Sequence, residues 1–243
     1  MSQSGADCWV VIPASGRGQR MAADRPKQYL PLGDKTILEI TLDNLLSFAP
    51  VRGAVVVVDA EDAYWPDIAY QHEKPVYSCH GGEQRHLSVC KGLKALQEQT
   101  NANPVVLIHD AVRPFVLHRD LQNLLKAVET NVAGAILAAP LADTLKLADD
   151  NDQIIRTQSR DHLWRAFTPQ AFRLDKILAA LEQVISQQIV VTDDASAMEF
   201  CGLHPSLVIG DAFNIKITHP QDIAFAELLW RRWILSGDYK SLD

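Results

Sequence analysis

Cysteine is scarce in this chain and follows no recognisable spacing. The four cysteines among 243 residues are Cys8, Cys79, Cys90 and Cys201, and no two of them form a C-x-x-C pair. Scattered cysteines in a chain of this length are typical of free thiols in a reducing compartment rather than of a disulfide framework. A structural zinc site needs grouped ligands, so the pattern gives zinc little support. We therefore expect a cytoplasmic protein without disulfides.

Long apolar runs and an excess of positive charge are absent as well. No stretch approaches the roughly 18 apolar residues of a membrane span, and residues 1–7 have neither the basic nor the apolar region of a secretory signal. The formal net charge is −7. These features argue against a membrane or a nucleic acid as a partner. An acidic protein that binds anionic ligands must gather its cations locally or use a metal ion.

What is present is an alternation of strand-like and helix-like segments. Val55–Val58 and Val105–Ile108 are continuous apolar runs, which are typical of strands buried on both faces of a parallel sheet. The alternation predicts an α/β fold, a Rossmann-like, mostly parallel sheet flanked by helices, in one domain over residues 1–243. The predicted strands are Trp9–Ile12, Gly53–Val58, Pro75–Ser78, Pro104–His109, Ala133–Ala138 and Ser206–Ile209, and the predicted helices are Thr36–Ser47, Asp62–Gln71, Arg85–Gln97, Arg119–Thr130, Leu174–Ser186, Asp194–Cys201 and Pro220–Leu235.

One stretch interrupts this alternation. Residues Thr144–Thr157, within an insertion of about residues 141–162, have the pattern of a β-hairpin with an acidic turn. A two-stranded element is too small to fold alone, so its alternate apolar residues need burial elsewhere. The hairpin packs either on its own domain or on a partner subunit. We favour the partner, which predicts a homodimer with protruding β-arms.

The first strand leads into a turn that suits phosphate binding. Pro13, Ala14, Ser15, Gly16 and Gly18 follow the strand in order, and the glycines allow the backbone to approach an anion closely. Arg20 and Lys27 then supply cations for charge that develops on a phosphoryl group. The turn lacks the Walker G-x-x-x-x-G-K-[ST] pattern, and Met21 replaces the third glycine of a dinucleotide motif. Taken alone, an ordinary βα turn with surface cations is an equal alternative.

A second candidate site follows the strand that ends near Ile108. Asp110 just beyond this strand suits Mg²⁺, which takes one or two carboxylates with phosphate oxygens and water. The alternative is a turn cap, since Asp is common there. Arg113 binds either a phosphate or a carboxylate. His109 is more typical of a hydrogen-bonded structural histidine than of a general base.

A third candidate site begins at two adjacent glycines. Gly81 and Gly82 permit close approach to a flat ring, and Ser88 offers a hydroxyl to a base edge. The alternative places Ser88 on the solvent face of a helix. Arg85 lies in the first turn of that helix, where a cation opposes the helix dipole, so we expect an anionic or acidic partner for it.

Several polar residues late in the chain form a fourth group. Thr168 and Thr192 have the sequence context of helix N-caps. Lys216 lies between Ile215 and Ile217, which predicts either a polar pocket at the rim of the sheet or an ordinary edge-strand lysine.

Together these motifs resemble the 2-C-methyl-D-erythritol 4-phosphate cytidylyltransferase family of the non-mevalonate isoprenoid pathway. The resemblance covers about residues 8–235, and seven ordered motifs make it specific. Those motifs are Pro13–Met21 with Lys27 nearby, Gly81–Val89, His109–Pro114, Asp143–Lys146, Leu163–Gln170, Thr192–Ser196 and Asn214–Thr218. The departures are small: Ser15 and Val112 are often Ala in relatives, Glu83 is often Asp, and Gln84 is usually acidic.

The resemblance implies roles for individual residues and a Mg²⁺ cofactor, with other divalent cations as alternatives. It implies that Arg20, Lys27, Arg160 and Lys216 are catalytic, and that Asp110 binds the metal. The implied nucleotide-binding residues are Pro13, Ala14, Ser15, Gly16, Gly18, Gly82, Glu83, Ser88 and Ala111. The implied substrate-binding residues are Asp110, Arg113, Thr144, Arg160, Thr168, Thr192 and Lys216, of which Thr144 and Arg160 serve the site of the second subunit.

The reaction implied is an in-line displacement on CTP. A phosphate oxygen of the polyol phosphate attacks the α-phosphorus and pyrophosphate leaves, so no general base is required. Relatives that act on ribitol 5-phosphate share the CTP half and are the nearest alternative. A non-catalytic nucleotide-binding subunit is a second alternative, although it is expected to have lost Arg20, Lys27 or Asp110. The missing third glycine disfavours a dehydrogenase.

Overall fold

The computed structural model describes residues 7–16 and 25–236, and the part it describes is built around a seven-stranded sheet. The strands are β1 (Cys8–Pro13), β2 (Pro31–Leu32), β3 (Lys35–Thr36), β4 (Val51–Val58), β5 (Val76–His80), β6 (Val105–Ile108), β7 (Ala135–Pro140), β8 (Leu145–Ala148), β9 (Ile154–Gln158), β10 (Trp164–Arg173) and β11 (Ser206–Ile209). The order in the large sheet is β11-β7-β10-β6-β1-β4-β5. All neighbouring pairs in it are parallel except those of β10, which runs antiparallel to β6 and β7. The predicted α/β fold is confirmed.

Helices cover both faces of this sheet. They are α1 (Ile37–Ser47), α2 (Tyr64–Ile68), α3 (Arg85–Gln99), α4 (His118–Thr130), α5 (Leu174–Ser186), α6 (Asp194–Phe200) and α7 (Pro220–Ser236), with a short 3-10 helix at Lys27–Tyr29. In β1, Val10 and Ile12 face the cluster that contains α1 and α4, whereas Val11 faces the cluster that contains α3, α5 and α6. Alternate strand residues therefore enter opposite cores, which is why the strand sequences are apolar throughout.

The strand β10 was not predicted, and it corrects the expectation for Thr168. It occupies the middle of the sheet although it contains Thr168, Pro169 and Gln170, which are not typical of a buried strand. Its pairing with β7 is irregular between Ala166 and Gln170. The prediction that Thr168 is a helix N-cap is wrong because Thr168 lies inside this strand. Thr192 is not a cap either, since Asp193 caps α6 by accepting a hydrogen bond from the Ser196 amide at 2.9 Å.

The predicted hairpin is present as a separate two-stranded sheet. Strands β8 and β9 pair antiparallel, and Leu145 lies opposite Gln158. Asp149 organises the acidic turn by accepting hydrogen bonds from the amides of Asn151 and Gln153. Ile154 and Ile155 in β9 are 65% and 60% exposed. These two side chains are therefore largely uncovered by the described part of their own chain.

The carboxyl ends of the parallel strands meet at one edge of the sheet. Pro13 ends β1, Asp59 follows β4, Gly81 follows β5 and Asp110 follows β6. Open α/β sheets bind their ligands at this edge. The fold thus brings the predicted phosphate loop, the Gly81–Gly82 turn and Asp110 together.

Candidate functional site

A cleft of about 740 Å³ lies at this edge of the sheet. Its walls come from the turn after β1, the 3-10 helix, the loop before α3, the turn after β6 and the segment before α7. Many of the predicted site residues line it, namely Pro13, Ala14, Ser15, Gly16, Lys27, Gly82, Glu83, Asp110, Ala111 and Lys216. Gly18 and Arg20 lie outside the described residues.

The start of the phosphate loop is held from two sides. The amide of Ala14 donates to the carbonyl of Val57 at 2.7 Å. The side chain of Gln28 is buried and donates from Nε2 to the carbonyl of Ala14 at 2.6 Å. Gln28 therefore links the 3-10 helix that carries Lys27 to the loop, a contact that was not predicted. The feature of the sequence that could have indicated this contact is that Gln28 directly follows Lys27.

Lys27 enters the cleft from this 3-10 helix. Its Nζ lies 3.4 Å from the carbonyl of Ile217, in the segment that also carries Lys216. The next residue but one, Tyr29, is buried and donates its hydroxyl to Asp62 at 2.7 Å. Since Gln28 and Tyr29 are both anchored, the backbone beneath Lys27 is fixed relative to the loop.

The Gly81–Gly82 turn packs closely against the phosphate loop. A Cβ on Gly81 would lie 2.7 Å from the Oγ of Ser15, so this approach requires glycine. The Ser88 hydroxyl lies 2.9 Å from that of Ser15 and accepts a hydrogen bond from the Gly82 amide at 3.1 Å. The alternative that Ser88 faces solvent is wrong because its side chain is fully buried. In this structure its hydroxyl joins the two loops.

Asp110 is a buried anion in the wall of the cleft, and three cations lie close to its carboxylate. Its Oδ2 lies 3.0 Å from Lys216 Nζ and 3.1 Å from Arg113 Nε, and its Oδ1 lies 3.6 Å from Arg85 Nε. Burial alone would raise the pKa of Asp110, but the three cations outweigh it and hold the pKa well below the usual range for Asp. The carboxylate is therefore ionised, and it gathers cations at the site of a protein whose net charge is negative.

The structure settles several alternatives around Asp110. Arg113 is paired with a carboxylate, and its Nη1 also donates to the carbonyl of Asn214 at 2.7 Å. Lys216 lies in a polar pocket and not on an edge strand, since residues 210–219 contain no strand. His109 is fully buried, and its Nε2 lies 2.9 Å from the carbonyl of Arg113. Burial lowers the pKa of His109 to about 4, which makes it a neutral structural histidine.

Arg85 has the acidic partner that its position predicted. Its guanidinium donates to both carboxylate oxygens of Asp194 at 2.9 Å, and Asp194 is fully buried. Burial raises the pKa of Asp194, and Arg85 opposes this effect. The identity of the partner was not predicted, because Asp194 is 109 positions away in the sequence.

Thr168 touches the site through its hydroxyl. The amide of Asp110 donates to Thr168 Oγ1 at 3.0 Å, and Thr168 is buried. Thr144, Arg160 and Thr192 are exposed and do not line this cleft. The expectation that Thr144 and Arg160 serve another subunit stays a prediction.

The donor set around Asp110 suits a metal ion held mainly by a nucleotide. Among residues 7–16 and 25–236, no three His, Cys, Asp or Glu side chains group as a metal site. Magnesium often takes only one or two carboxylates and completes its shell with phosphate oxygens and water. Asp110 can supply one such ligand beside the phosphate loop, so the residues present fit the predicted ion.

None of the helices in the described part of the chain has both the length and the apolar character needed to cross a membrane.

Comparison with known proteins gives a consistent result. The family model for 2-C-methyl-D-erythritol 4-phosphate cytidylyltransferase matches residues 8–232. The curated protein of that name from Stenotrophomonas maltophilia is 46% identical over 227 residues, which cover 93% of this chain and 98% of the relative. A crystal structure of 4-diphosphocytidyl-2C-methyl-D-erythritol synthase superposes with a TM-score of 0.80 at 35% identity, covering 93% of this chain and 98% of that one. The Francisella tularensis cytidylyltransferase superposes with a TM-score of 0.78 at 33% identity, covering 92% and 99%.

Proposed function

The chain belongs to the 2-C-methyl-D-erythritol 4-phosphate cytidylyltransferase family, and we propose that the cleft around Asp110 is the site of its reaction. The enzyme transfers CMP from CTP to 2-C-methyl-D-erythritol 4-phosphate and releases pyrophosphate. The observation that carries the proposal is the group of cations beside a phosphate-binding turn. Lys27 and Lys216 both line the cleft, and Arg113 adjoins it through Asp110.

The nucleotide occupies the half of the cleft formed by the two glycine-containing turns. Backbone groups of the phosphate loop face the triphosphate, and the loop before α3 faces the base. Glu83 contributes to base recognition through its backbone. The presence of Glu where relatives often have Asp therefore has little consequence. The proposed nucleotide-binding residues are Pro13, Ala14, Ser15, Gly16, Gly18, Gly82, Glu83, Ser88 and Ala111, with Ser88 acting through the buried contacts it makes to the two loops.

The polyol phosphate occupies the half of the cleft near Lys216. Lys216 and Arg113 attract its phosphate, and Asp110 and Thr168 orient it. Thr192 borders this half from the segment that precedes α6, and Thr144 and Arg160 are supplied by the arm of a second subunit.

Catalysis on this geometry consists of positioning and charge neutralisation. The attacking oxygen belongs to a phosphate that is already an anion, so no base has to remove a proton. The environment of His109 is consistent with this, because a buried neutral imidazole makes its contact to a backbone carbonyl. Lys27, together with Arg20, neutralises charge that grows on the α-phosphate. When bound, Mg²⁺ supplies further neutralisation of the triphosphate, with Asp110 as its protein ligand.

The enzyme is proposed to act as a cytoplasmic homodimer of single-domain subunits, each with an arm at about residues 141–162. The exposed apolar side chains of the arm support the dimer. The four cysteines are free, which supports a reducing compartment.

The test is a pyrophosphate-release assay with CTP and a panel of polyol phosphates. We expect turnover with 2-C-methyl-D-erythritol 4-phosphate to exceed turnover with ribitol 5-phosphate and erythritol 4-phosphate. Equal or faster release with ribitol 5-phosphate would contradict the proposed fit of the Lys216 half to the methylated substrate. Replacing CTP by UTP or ATP in the same assay tests the base-facing loop.

A further inference from the structure

The side chain of Arg85 connects two carboxylates that belong to different parts of the cleft. Its Nη1 and Nη2 donate to the two oxygens of Asp194 at 2.9 Å each. Its Nε lies 3.6 Å from Oδ1 of Asp110. A two-point contact with a fully buried carboxylate holds a guanidinium in one orientation. Arg85 is thus fixed by Asp194 and presented to Asp110.

Arg85 also lies at the junction of the two substrate halves. It is the first residue of α3 and directly follows the loop Gly81–Gln84, which faces the nucleotide base in the proposed function. In the proposed function Asp110 orients the polyol phosphate and is also the protein ligand of the nucleotide's Mg²⁺. Asp194 is the first residue of α6, next to the segment that carries Thr192. One side chain therefore joins the base-facing loop to the polyol-phosphate half.

The charge balance around Asp110 depends on what is bound. In the structure, Asp110 shares its charge among Lys216, Arg113 and Arg85. A phosphate that enters near Lys216 and Arg113 attracts both of these cations, so they compensate Asp110 less. Arg85 then compensates a larger share of the Asp110 charge. Because Arg85 belongs to α3, this stronger contact holds the base-facing loop more firmly.

We propose that Arg85 is a positioning residue that couples the two substrate sites, so that each substrate binds more tightly when the other is present. The inference rests on the proposed function for the placement of the two substrates. Coupling between binding sites is reciprocal, and its usual size is roughly 5- to 150-fold in affinity. The coupling uses the contact between Arg85 and Asp110, and Asp194 acts by holding Arg85 in place.

The experiment measures nucleotide affinity with and without the second substrate. The ligand is cytidine 5′-[α,β-methylene]triphosphate, which cannot release pyrophosphate because carbon replaces the bridging oxygen. Calorimetric titration is carried out with Mg²⁺, in the absence and the presence of saturating 2-C-methyl-D-erythritol 4-phosphate. For the parent enzyme we expect Kd to fall at least about fivefold when the polyol phosphate is present.

Two variants remove the coupling in different ways. Arg85→Lys keeps the charge that pairs with Asp194 but lacks the fork needed to reach both carboxylates. Arg85→Met combined with Asp194→Asn removes both charges, so no buried charge is left without a partner. We expect Kd in both variants to be nearly the same with and without the polyol phosphate. Lys94→Met is the matched control, since Lys94 lies on the same helix in an exposed pair with Glu182. The ratio of its Kd values with and without the polyol phosphate should equal that of the parent enzyme.

Several results would overturn the coupling. One is a Kd for the nucleotide analogue in the parent enzyme that is the same with and without the polyol phosphate. Another is a variant in which the ratio of these two Kd values equals that of the parent enzyme. Loss of nucleotide binding by the variants both with and without the polyol phosphate would also overturn it, since Arg85 would then be needed for the nucleotide site itself. Failure of the proposed function is separate, because it appears as absence of turnover with CTP and the polyol phosphate.

Discussion

At the scale of single residues, Asp110 is a buried carboxylate that three neighbouring cations keep ionised. Each of its cations is partly exposed or shared, yet together they overcome the cost of burying the carboxylate. In the proposed function, a substrate phosphate that enters the cleft meets a preformed set of charges. Little reorganisation is then needed when charge develops during the reaction.

Replacing Asp110 by Asn should abolish Mg²⁺-dependent turnover and leave the fold intact. Asn keeps an acceptor of similar shape but removes the negative charge that is needed to hold the ion and that also pairs with Lys216, Arg113 and Arg85. Pyrophosphate release is measured against Mg²⁺ concentration, with far-ultraviolet circular dichroism as the check on folding. Asp175→Asn, at an exposed position of α5, is the control. Wild-type activity with an unchanged Mg²⁺ midpoint in Asp110→Asn would show that the metal assignment is wrong.

Replacing Lys27 by Ala should lower kcat by about 10²–10³ with a smaller change in the KM for CTP. The reason is that Lys27 meets charge which appears mainly in the transition state. Steady-state kinetics on CTP measures both constants, and Lys35→Ala, which breaks an exposed pair with Asp43, serves as the control. Near-normal kcat would remove Lys27 from catalysis. Arg20→Ala is expected to behave like Lys27→Ala.

His109 should make the unfolding free energy depend on pH. Burial lowers its pKa from 6.5 to about 4 in the folded protein. Between these values the unfolded chain binds a proton that the folded chain excludes, so stability is full above about pH 6.5 and falls as the pH decreases towards 4. The loss from this group is at most about 3 kcal/mol. Urea unfolding at pH 7.5, 6 and 5 measures it, and His109→Gln should show a shallower pH dependence; an equal slope would assign the effect to other groups.

Sequence reasoning at this scale predicted which residues meet but not all of their contacts. The sequence placed Lys27 near the phosphate turn and Asp110 just beyond a strand, and it left Lys216 either in a polar pocket at the rim of the sheet or on an edge strand. The structure brings all three into one cleft at the carboxyl ends of the parallel strands. The need of Arg85 for an acidic partner followed from the helix dipole. That the partner is Asp194 depends on how α6 is placed by its packing on α5, which in turn packs against α3, and no local pattern contains this arrangement. The same is true of the buried contact between Ser15 and Ser88.

At the scale of elements, β10 explains most of what the sequence did not reveal. Parallel strands were predicted from their apolar runs, whereas β10 contains polar side chains in the middle of the sheet. The structure satisfies these groups individually. Gln170 donates from Nε2 to Asp193 at 2.8 Å and accepts from the Ala195 amide at 2.8 Å. Such long-range contacts make a polar strand stable, and local propensity does not contain them.

Replacing Gln170 by Leu should therefore destabilise the protein by about 2–3 kcal/mol. The change leaves the Ala195 amide and the Asp193 carboxylate without their buried partner at the start of α6. The free energy of unfolding in urea measures the effect. Gln97→Met, at an exposed position of α3, is the control and should stay within about 0.5 kcal/mol of the parent. A loss in Gln170→Leu no larger than in this control would show that the two hydrogen bonds contribute little.

At the scale of the whole molecule, the arm is a two-stranded element that exposes large apolar side chains. A two-stranded sheet is marginally stable in water unless another surface packs against it. Leu147, Ile154 and Ile155 are 44%, 65% and 60% exposed. The sequence left open whether the arm packs on its own domain or on a partner, and the described residues of the chain leave these three side chains largely uncovered. A symmetric dimer would bury each arm on its twin through an isologous contact.

If the arm completes the partner's site, two inactive variants should rescue each other. Lys27→Ala removes a residue of the cleft, whereas Arg160→Ala removes one at the end of the arm. In a heterodimer of the two, one site has the wild-type cleft and receives the wild-type arm. The other site lacks both residues. Purified heterodimers with different affinity tags should therefore recover about half of the parental pyrophosphate release.

The control for this experiment pairs two variants of the same cleft. A heterodimer of Lys27→Ala with Lys216→Ala has one damaged cleft in each subunit, so it should remain inactive whichever arm each site receives. Arg160 suits an interface role because its planar guanidinium can bind a phosphate at two points. Inactive heterodimers of Lys27→Ala with Arg160→Ala would place Arg160 in its own subunit's site or outside both sites. Recovered activity in that pair alone would establish that a complete site requires two chains.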